Sequence, residues 1–514
     1  MSNISRDPEP LPTTTPGGSK SVVPVPFPRS PGDGLPSPTI GSRLTARLSD
    51  VIASLRSFRA ILRLHPFDTG TPEGRSNERY RRAALTTFST MTAQALGIFT
   101  GLAWIRLSLS YLGEERYGLW IAIGSLLAWA NLADMGLARG MQNHLSQANG
   151  QDDRVLASRY VSTGLVALGS VALVLGLLSL PVVLLFPWAT FLNVRDPALV
   201  PETRQAVAAA LACFLLGFPF SIVPTIYAAF QRGYIASIFN ILGSVVSLGT
   251  LIVATRIHLS LPWLIVATSG IGILMALVNF GYALKEMPWL LPRLHLASWK
   301  TMRELGGTSG ALFVFQIGAL LINETACMII ARRLGLPQVT EWSIFLRVQM
   351  LPGIFIQMID APLIPAFREA YIRGERDWIK TAFWRVTKLK GAVALLASGL
   401  YFILGNWVVQ IMSGQPIVFS RDMWAGGALL LVVSVWNGSF NDLLIATDRL
   451  RLLVITLLAN GLVTPILSYL LAPSFGLLGV LVAMPVFSLV VSAWVLPWAC
   501  RDLVSAPAAA HQRT

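Results

Sequence analysis

The chain has 514 residues, of which 54% are hydrophobic and 13% charged, against roughly 25% charged in an ordinary soluble domain. Apolar stretches of about 20 residues recur from Ala83 almost to the C-terminus, each long enough to cross a ~30 Å hydrocarbon core as a helix. That excludes a soluble fold, and long uncharged runs exclude a barrel, whose strands alternate over about ten residues. The formal net charge of +14 does not call for nucleic acid: twelve arginines and lysines precede Ala83 and many others fall in alternate loops, as the positive-inside rule requires.

Residues 1–42 are rich in Pro, Ser, Thr and Gly and are expected to form a disordered cytoplasmic arm without a signal peptide. Residues 43–82 form a basic amphipathic segment. At 100° per residue Leu44, Leu48, Val51, Leu55, Phe58 and Leu62 share one face, flanked by Arg43 and Arg47 on one side and Arg56, Arg59 and Arg63 on the other. Such a stripe suits a helix on anionic lipids, with the arginines reaching headgroups; a soluble helix packed on the cytoplasmic loops, or a merely solvated basic stretch, is the alternative.

Twelve spans follow, at 83–109, 117–138, 158–186, 205–228, 234–255, 261–284, 309–331, 341–364, 390–412, 423–446, 452–471 and 476–498. The expected organisation is an N-terminal lobe of six helices over 83–284, a cytoplasmic linker over 285–306, a C-terminal lobe of six over 307–499 and a tail over 500–514. With the N-terminus inside, the later cytoplasmic segments hold about 19 Lys and Arg and the outer loops about 7, which places both termini in the cytoplasm. Cys213, Cys327 and Cys500 lie in or at the end of apolar runs and read as small buried hydrophobes. The five scattered histidines make no metal-binding spacing, and neither a metal nor a cofactor is expected.

The two halves repeat. Gln94 stands nineteen residues before Gly113 of a Leu112–Gly113 pair, and Gln316 nineteen before Gly335 of a Leu334–Gly335 pair. Asp134 ends span two and Asp360 sits near the end of span eight. AAFQR (Ala228 to Arg232) joins spans four and five, and IATDR (Ile445 to Arg449) joins spans ten and eleven. Six spans per unit give both halves the same orientation, as in transporters whose path runs between parallel repeats.

YLGEERYGLW, an apolar run, then DMGLARG and QDD resemble the polysaccharide transporter family. These are the Wzx-type O-antigen and exopolysaccharide flippases of the multidrug/oligosaccharidyl-lipid/polysaccharide (MOP) superfamily. Leu112, Gly113, Glu115, Tyr117, Gly118, Asp134, Gly136, Leu137 and Asp152 carry the match, and the long N-terminal arm departs from the family pattern. The resemblance implies two pseudo-symmetric six-helix lobes around a central cavity. It also implies an undecaprenyl-diphosphate-linked glycan as substrate and a place in the bacterial inner membrane, with the polysaccharide polymerase and export machinery as further partners. In that superfamily spans one, two, seven and eight line the path, so Arg106, Arg347, Glu324, Gln94 and Gln316 would face it.

Ionisable side chains within apolar spans are expensive and normally face a partner or water. Arg106 and Arg347 would meet the diphosphate, with Glu324 holding one of them; a structural Arg–Glu staple is the competing reading. Asp134, Arg139 and Asp360 would form an inner gate across the lobes, against the blander reading that each acid only fixes a helix end. A MATE-like exporter of organic cations would instead prefer acids in the cavity. A membrane polymerase or glycosyltransferase would need a large catalytic outer loop, whereas the longest expected here, Pro187 to Arg204, has about eighteen residues and no acid/base pair. No enzymatic activity is expected.

Overall fold

A computed structural model of the chain describes residues 72–307 and 310–504. The Pro-rich arm, the arginine stripe over 43–64 and residues 505–514 lie outside the described residues. Helix α1 (72–112) and helix α2 (114–130) form one rod, Pro72–Ala130, interrupted at Gly113. The helix that carries span one therefore begins within the basic segment, where Glu78 bridges Arg81 and Arg82 at 2.8 Å each, while its apolar part starts at Ala84.

After α3 (Leu137–Gly150), the first lobe continues through α4 (Arg154–Leu185), α5 (Leu199–Ala229), α6 (Gly233–Arg256) and α7 (Leu261–Glu286). A short helix, α8 (Trp299–Gly307), ends the described part of the linker. The second lobe holds α9 (Gly310–Arg333), α10 (Leu336–Ile372), α11 (Arg376–Ser413) and α12 (Arg421–Ala446). Its last rod, Leu450–Ala499, breaks at Gly476 into α13 (450–475) and α14 (477–499). Leaving out α3 and α8, the described residues contain twelve helices of crossing length in two sets of six, the expected number. Within hydrocarbon a helix satisfies its own backbone, which makes this the only economical outcome for such a composition.

The duplication shows in the turns. Gly113, Asp152, Asn193, Gln231 and His258 have positive φ, and so do Gly335, Gly374, Gly414, Asp448 and Gly476, at offsets of 222, 222, 221, 217 and 218. Gly113 (φ 73°, ψ 175°) and Gly335 (φ 111°, ψ 172°) adopt a region open essentially to glycine alone, which explains both Leu-Gly pairs. The AAFQR and IATDR turns match bond for bond: Arg232 N–H donates to the Tyr227 carbonyl at 2.7 Å, and Arg449 N–H to the Leu444 carbonyl at 2.9 Å. Each of these arginines then meets a carboxylate at the end of its lobe, Arg232 with Glu286 and Arg449 with Asp502.

One feature is not duplicated. α2 stops at a 3-10 turn, Asn131–Asp134, and Met135 (φ 46°) and Gly136 (φ 78°) turn the chain into α3. In the second lobe α10 runs unbroken for 37 residues and α11 for 38, each about 55 Å and longer than the hydrocarbon core is thick. Spans eight and nine, expected at 341–364 and 390–412, are therefore the core parts of longer helices.

The apolar core divides in a telling way. Towards the end of the bundle that carries Gly113 and Gly335, one cluster joins Leu109, Tyr117 and Leu119 of the first lobe to Trp342, Phe345 and Trp424 of the second. Towards the opposite, linker end there are two clusters. One, around Met141, Tyr160 and Tyr227, belongs to the first lobe; the other, around Phe367, Phe383 and Phe440, belongs to the second. The lobes share a core at one end and keep separate cores at the other.

Candidate functional site

The shared end is closed by backbone. A methyl placed on Gly118 of α2 would lie 2.0 Å from the Leu336 carbonyl oxygen and 3.0 Å from Thr340 Oγ1, both on α10. Only glycine allows so close an approach, the way small residues bring membrane helices together. Beside it, the Thr340 hydroxyl donates to the Glu114 carbonyl at 2.6 Å, and Tyr117 is 1% exposed. Glu115 accepts from the backbone N–H groups of Arg195 (3.1 Å) and Asp196 (3.4 Å), fixing the loop that follows α4. The YLGEERYGLW motif thus has a structural meaning: a turn glycine, a loop anchor and the glycine on which the lobes meet.

The sequence-predicted residues distribute around this seam. Arg347 is exposed, about 16 Å along α10 from Leu336 and so near the middle of a ~30 Å core. Its guanidinium lies 3.9 Å from the place of a Gly101 side chain on α1, in the other lobe. Arg106, also exposed, packs instead on Gly414 at the end of α11, with Cγ and Nε 3.1 Å from the place of a Gly414 side chain. Positions 101 and 106 are about 140° apart on a helix, so the two arginines address different faces of α1.

Glu324 is half-buried on α9, and among the described residues it forms no ion pair within 4.0 Å. The expected pairing of Glu324 with either arginine is therefore absent from the described residues. Gln94 is exposed on α1 and Gln316 half-buried on α9.

The three residues expected at a gate part company. Asp134 Oδ1 accepts from the Gly136 N–H at 3.0 Å and so secures the break after α2. Arg139 lies in α3. Asp360 meets its cation inside its own lobe rather than across the lobes: Lys390 Nζ of α11 donates to Asp360 Oδ1 at 2.7 Å and to Asp442 Oδ2 of α12 at 3.0 Å. Lys390 is 2% exposed. Sequence reasoning missed Lys390 and Asp442; the available signal was that Asp442 sits alone within the apolar run of span ten and that Lys390 opens that of span nine.

Two lobes of six helices, related by a repeat and sealed at one end, meet across an interface that carries Arg106, Arg347 and Glu324, none of which forms an ion pair among the described residues. Comparisons place the chain further. No family model matches the chain. A curated relative from Yersinia pseudotuberculosis, "Putative O-antigen export protein", is 23% identical over 81% of this chain and 95% of its own length. A "Putative O-antigen transporter" from Salmonella typhi is 22% identical over 76% of this chain and 90% of its own.

Among solved structures, the inward-facing conformation of a multidrug resistance MATE family transporter of the MOP superfamily superposes with a TM-score of 0.66 at 14% identity, covering 82% of this chain and 98% of that one. The lipid II flippase MurJ in an inward closed conformation gives 0.60 at 12% identity, covering 81% and 87%. The fold is that of the MOP-superfamily transporters, and the resemblance drawn from the motif is borne out.

Proposed function

We propose that this chain is a flippase that carries a polyprenyl-diphosphate-linked oligosaccharide across the bacterial cytoplasmic membrane, by alternating access and without making or breaking a covalent bond. The observation that carries the reading is the divided core: one apolar cluster across both lobes at the Gly113 end and two separate clusters at the linker end. That is one of the two states an alternating-access transporter visits. On the orientation expected from the charges, the sealed end faces outward, and the linker and both termini lie in the cytoplasm.

The chemistry follows from what cannot cross unaided. A prenyl tail can stay in lipid, whereas a glycan and a diphosphate must leave water and need replacement partners. Arg347 supplies a planar fork of donors at mid-depth for bidentate contact with phosphate oxygens. Arg106 stands nearer the outward end, and Glu324, Gln94 and Gln316 add polar contacts along the path. The break at Asp134, with Arg139 beyond it, and Asp360 border the inward mouth. A membrane potential negative inside favours export of an uncompensated divalent head group by roughly 4–5 kcal/mol at 100 mV.

The test is reconstitution with a labelled lipid-linked oligosaccharide whose arrival in the opposite leaflet is read by an impermeant reagent. Arg347→Gln should slow transfer about ten- to a hundredfold, the worth of a lost charge-assisted pair, with wild-type abundance; Arg347→Lys should recover part. Because Arg106 and Glu324 are not paired, Arg106→Gln with Glu324→Gln should show no mutual rescue. Normal transfer by Arg347→Gln would overturn the site, and extrusion of organic cations without lipid transfer would overturn the function.

A further inference from the structure

The first lobe holds a polar cavity of its own, about 540 Å³ in volume, between α5, α6 and α7. Neither α1 nor α10 lines it, so it is separate from the seam that carries Arg347. It lies toward the linker end: Asn279 stands about 10 Å from the end of α7 and Ser221 about 12 Å from the end of α5. Its walls include two asparagines and four serines but no charged residue, which is the first clue to what it accepts. On α6, Asn240, Ser244 and Ser247 fall within about 60° of one another. The opposite side of that helix carries Ile238, Leu242 and Val245, all exposed. The apolar stripe is the one that suits lipid, and the polar stripe belongs to the cavity.

Polar side chains in membrane helices commonly join one helix to the next by hydrogen bonds. Asn279 does not serve that purpose. Its backbone carbonyl accepts from the Tyr227 hydroxyl at 3.1 Å, but its side-chain Oδ1 has no hydrogen-bond partner, although the residue is only 6% exposed. A buried amide oxygen left without a donor is costly, and here it borders a space large enough for a ligand, within the roughly 300–1,000 Å³ of small-molecule sites. Across the cavity the Ser244 hydroxyl donates to the Asn240 carbonyl at 2.9 Å, which leaves the serine oxygen able to accept.

The lining selects among ligands. An anion would find no cation in it and an organic cation no acid, while a prenyl or acyl chain would leave Asn279 unpartnered. An uncharged sugar ring meets each requirement. Its hydroxyls can donate to the asparagine oxygens and accept from the amide N–H groups. Its C–H faces can lie on the rings of Phe220 and Phe239, which Phe280 and Tyr282 back at centroid distances of 6.0 and 5.9 Å. We infer that this cavity is a glycan subsite, which holds a neutral sugar ring of the lipid-linked oligosaccharide through Asn279 and Asn240 while Arg347 meets the diphosphate. It rests on the flippase reading and adds to it a place, inside one lobe, where the sugar itself is recognised.

The test measures binding rather than transfer. Two probes are titrated against the purified full chain in nanodiscs: bare undecaprenyl diphosphate and the lipid-linked oligosaccharide of the transfer assay. The wild type should bind the glycosylated lipid about ten- to a hundredfold more tightly, the worth of satisfying a buried amide. Asn279→Leu should erase that preference and leave the affinity for the bare lipid unchanged; Ser244→Val, on α6, should reduce it. Asn279→Leu should unfold no lower than the wild type in a thermal scan, because the oxygen it removes has no partner to lose. A lower unfolding temperature with both affinities falling together assigns Asn279 to packing and overturns the proposal. Equal affinity of the wild type for the two lipids, or a preference that survives Asn279→Leu, overturns the glycan subsite and leaves the flippase reading standing. Binding of neither lipid overturns both.

Discussion

Gly118→Ala attacks the seal between the lobes at its tightest point. The added methyl would sit 2.0 Å from the Leu336 carbonyl oxygen, against 3.4 Å or more for ordinary contact, so α2 and α10 must separate by about 1.4 Å. The obstacle is backbone and cannot swing aside. Forced overpacking costs about 1–3 kcal/mol, and losing the Thr340 to Glu114 hydrogen bond adds about 0.5–1.5 kcal/mol. Together these destabilise the state closed at the Gly113 end by about 1.5–4.5 kcal/mol, a tenfold to thousandfold shift in the population ratio. Spin labels at Ser110 and Val418, exposed at that end on different lobes, should report a longer separation. Transfer should slow at normal abundance, because each lobe keeps its own core at the linker end. An unchanged distance distribution with normal transfer would refute the reasoning.

Two further outcomes follow from the repeat. Gly335→Ala forces a side chain into φ 111°, ψ 172° and should lower stability by about 1–3 kcal/mol; Gly414→Ala, at φ 67°, ψ 13°, should cost less, about 1–2 kcal/mol, and thermal unfolding ranks them. The Arg449 guanidinium holds the Asp502 carboxyl below the usual carboxylate range. A depressed value means that the pair stabilises the fold above the unfolded carboxylate's pKa, about 3.9, and that this is lost as pH falls through the lower folded value. Protection against hydrogen exchange over 496–504, corrected for the intrinsic pH dependence of exchange, should therefore fall on acidification, and Asp502→Asn should show the lower protection at all pH; equal protection in both proteins would sink the idea.

Much of the architecture was legible because bilayers impose local rules. A backbone without water must form helices about 20 residues long, so the sequence alone determined twelve spans, two sixfold units and the loops between them. The Leu112–Gly113 and Leu334–Gly335 pairs were readable because a positive φ leaves a mark in a single residue. Partners were not readable. Lipid is as apolar as a helix interface, so hydrophobic periodicity carries little information on which face of a span turns inward, and Arg106 and Arg347 separate onto different faces of α1 with no local sign of it. Gly118 is an unremarkable glycine until Leu336 arrives from 218 positions away, and Asp360 looked like half of a cross-lobe gate until Lys390 and Asp442 met it inside its own lobe. Even the lengths of α10 and α11 escaped, because past the hydrocarbon boundary a helix continues on packing and solvent contacts that no apolar window measures. Tertiary structure alone decided where the lobes touch, since that depends on backbone approach between distant segments, a quantity with no local code.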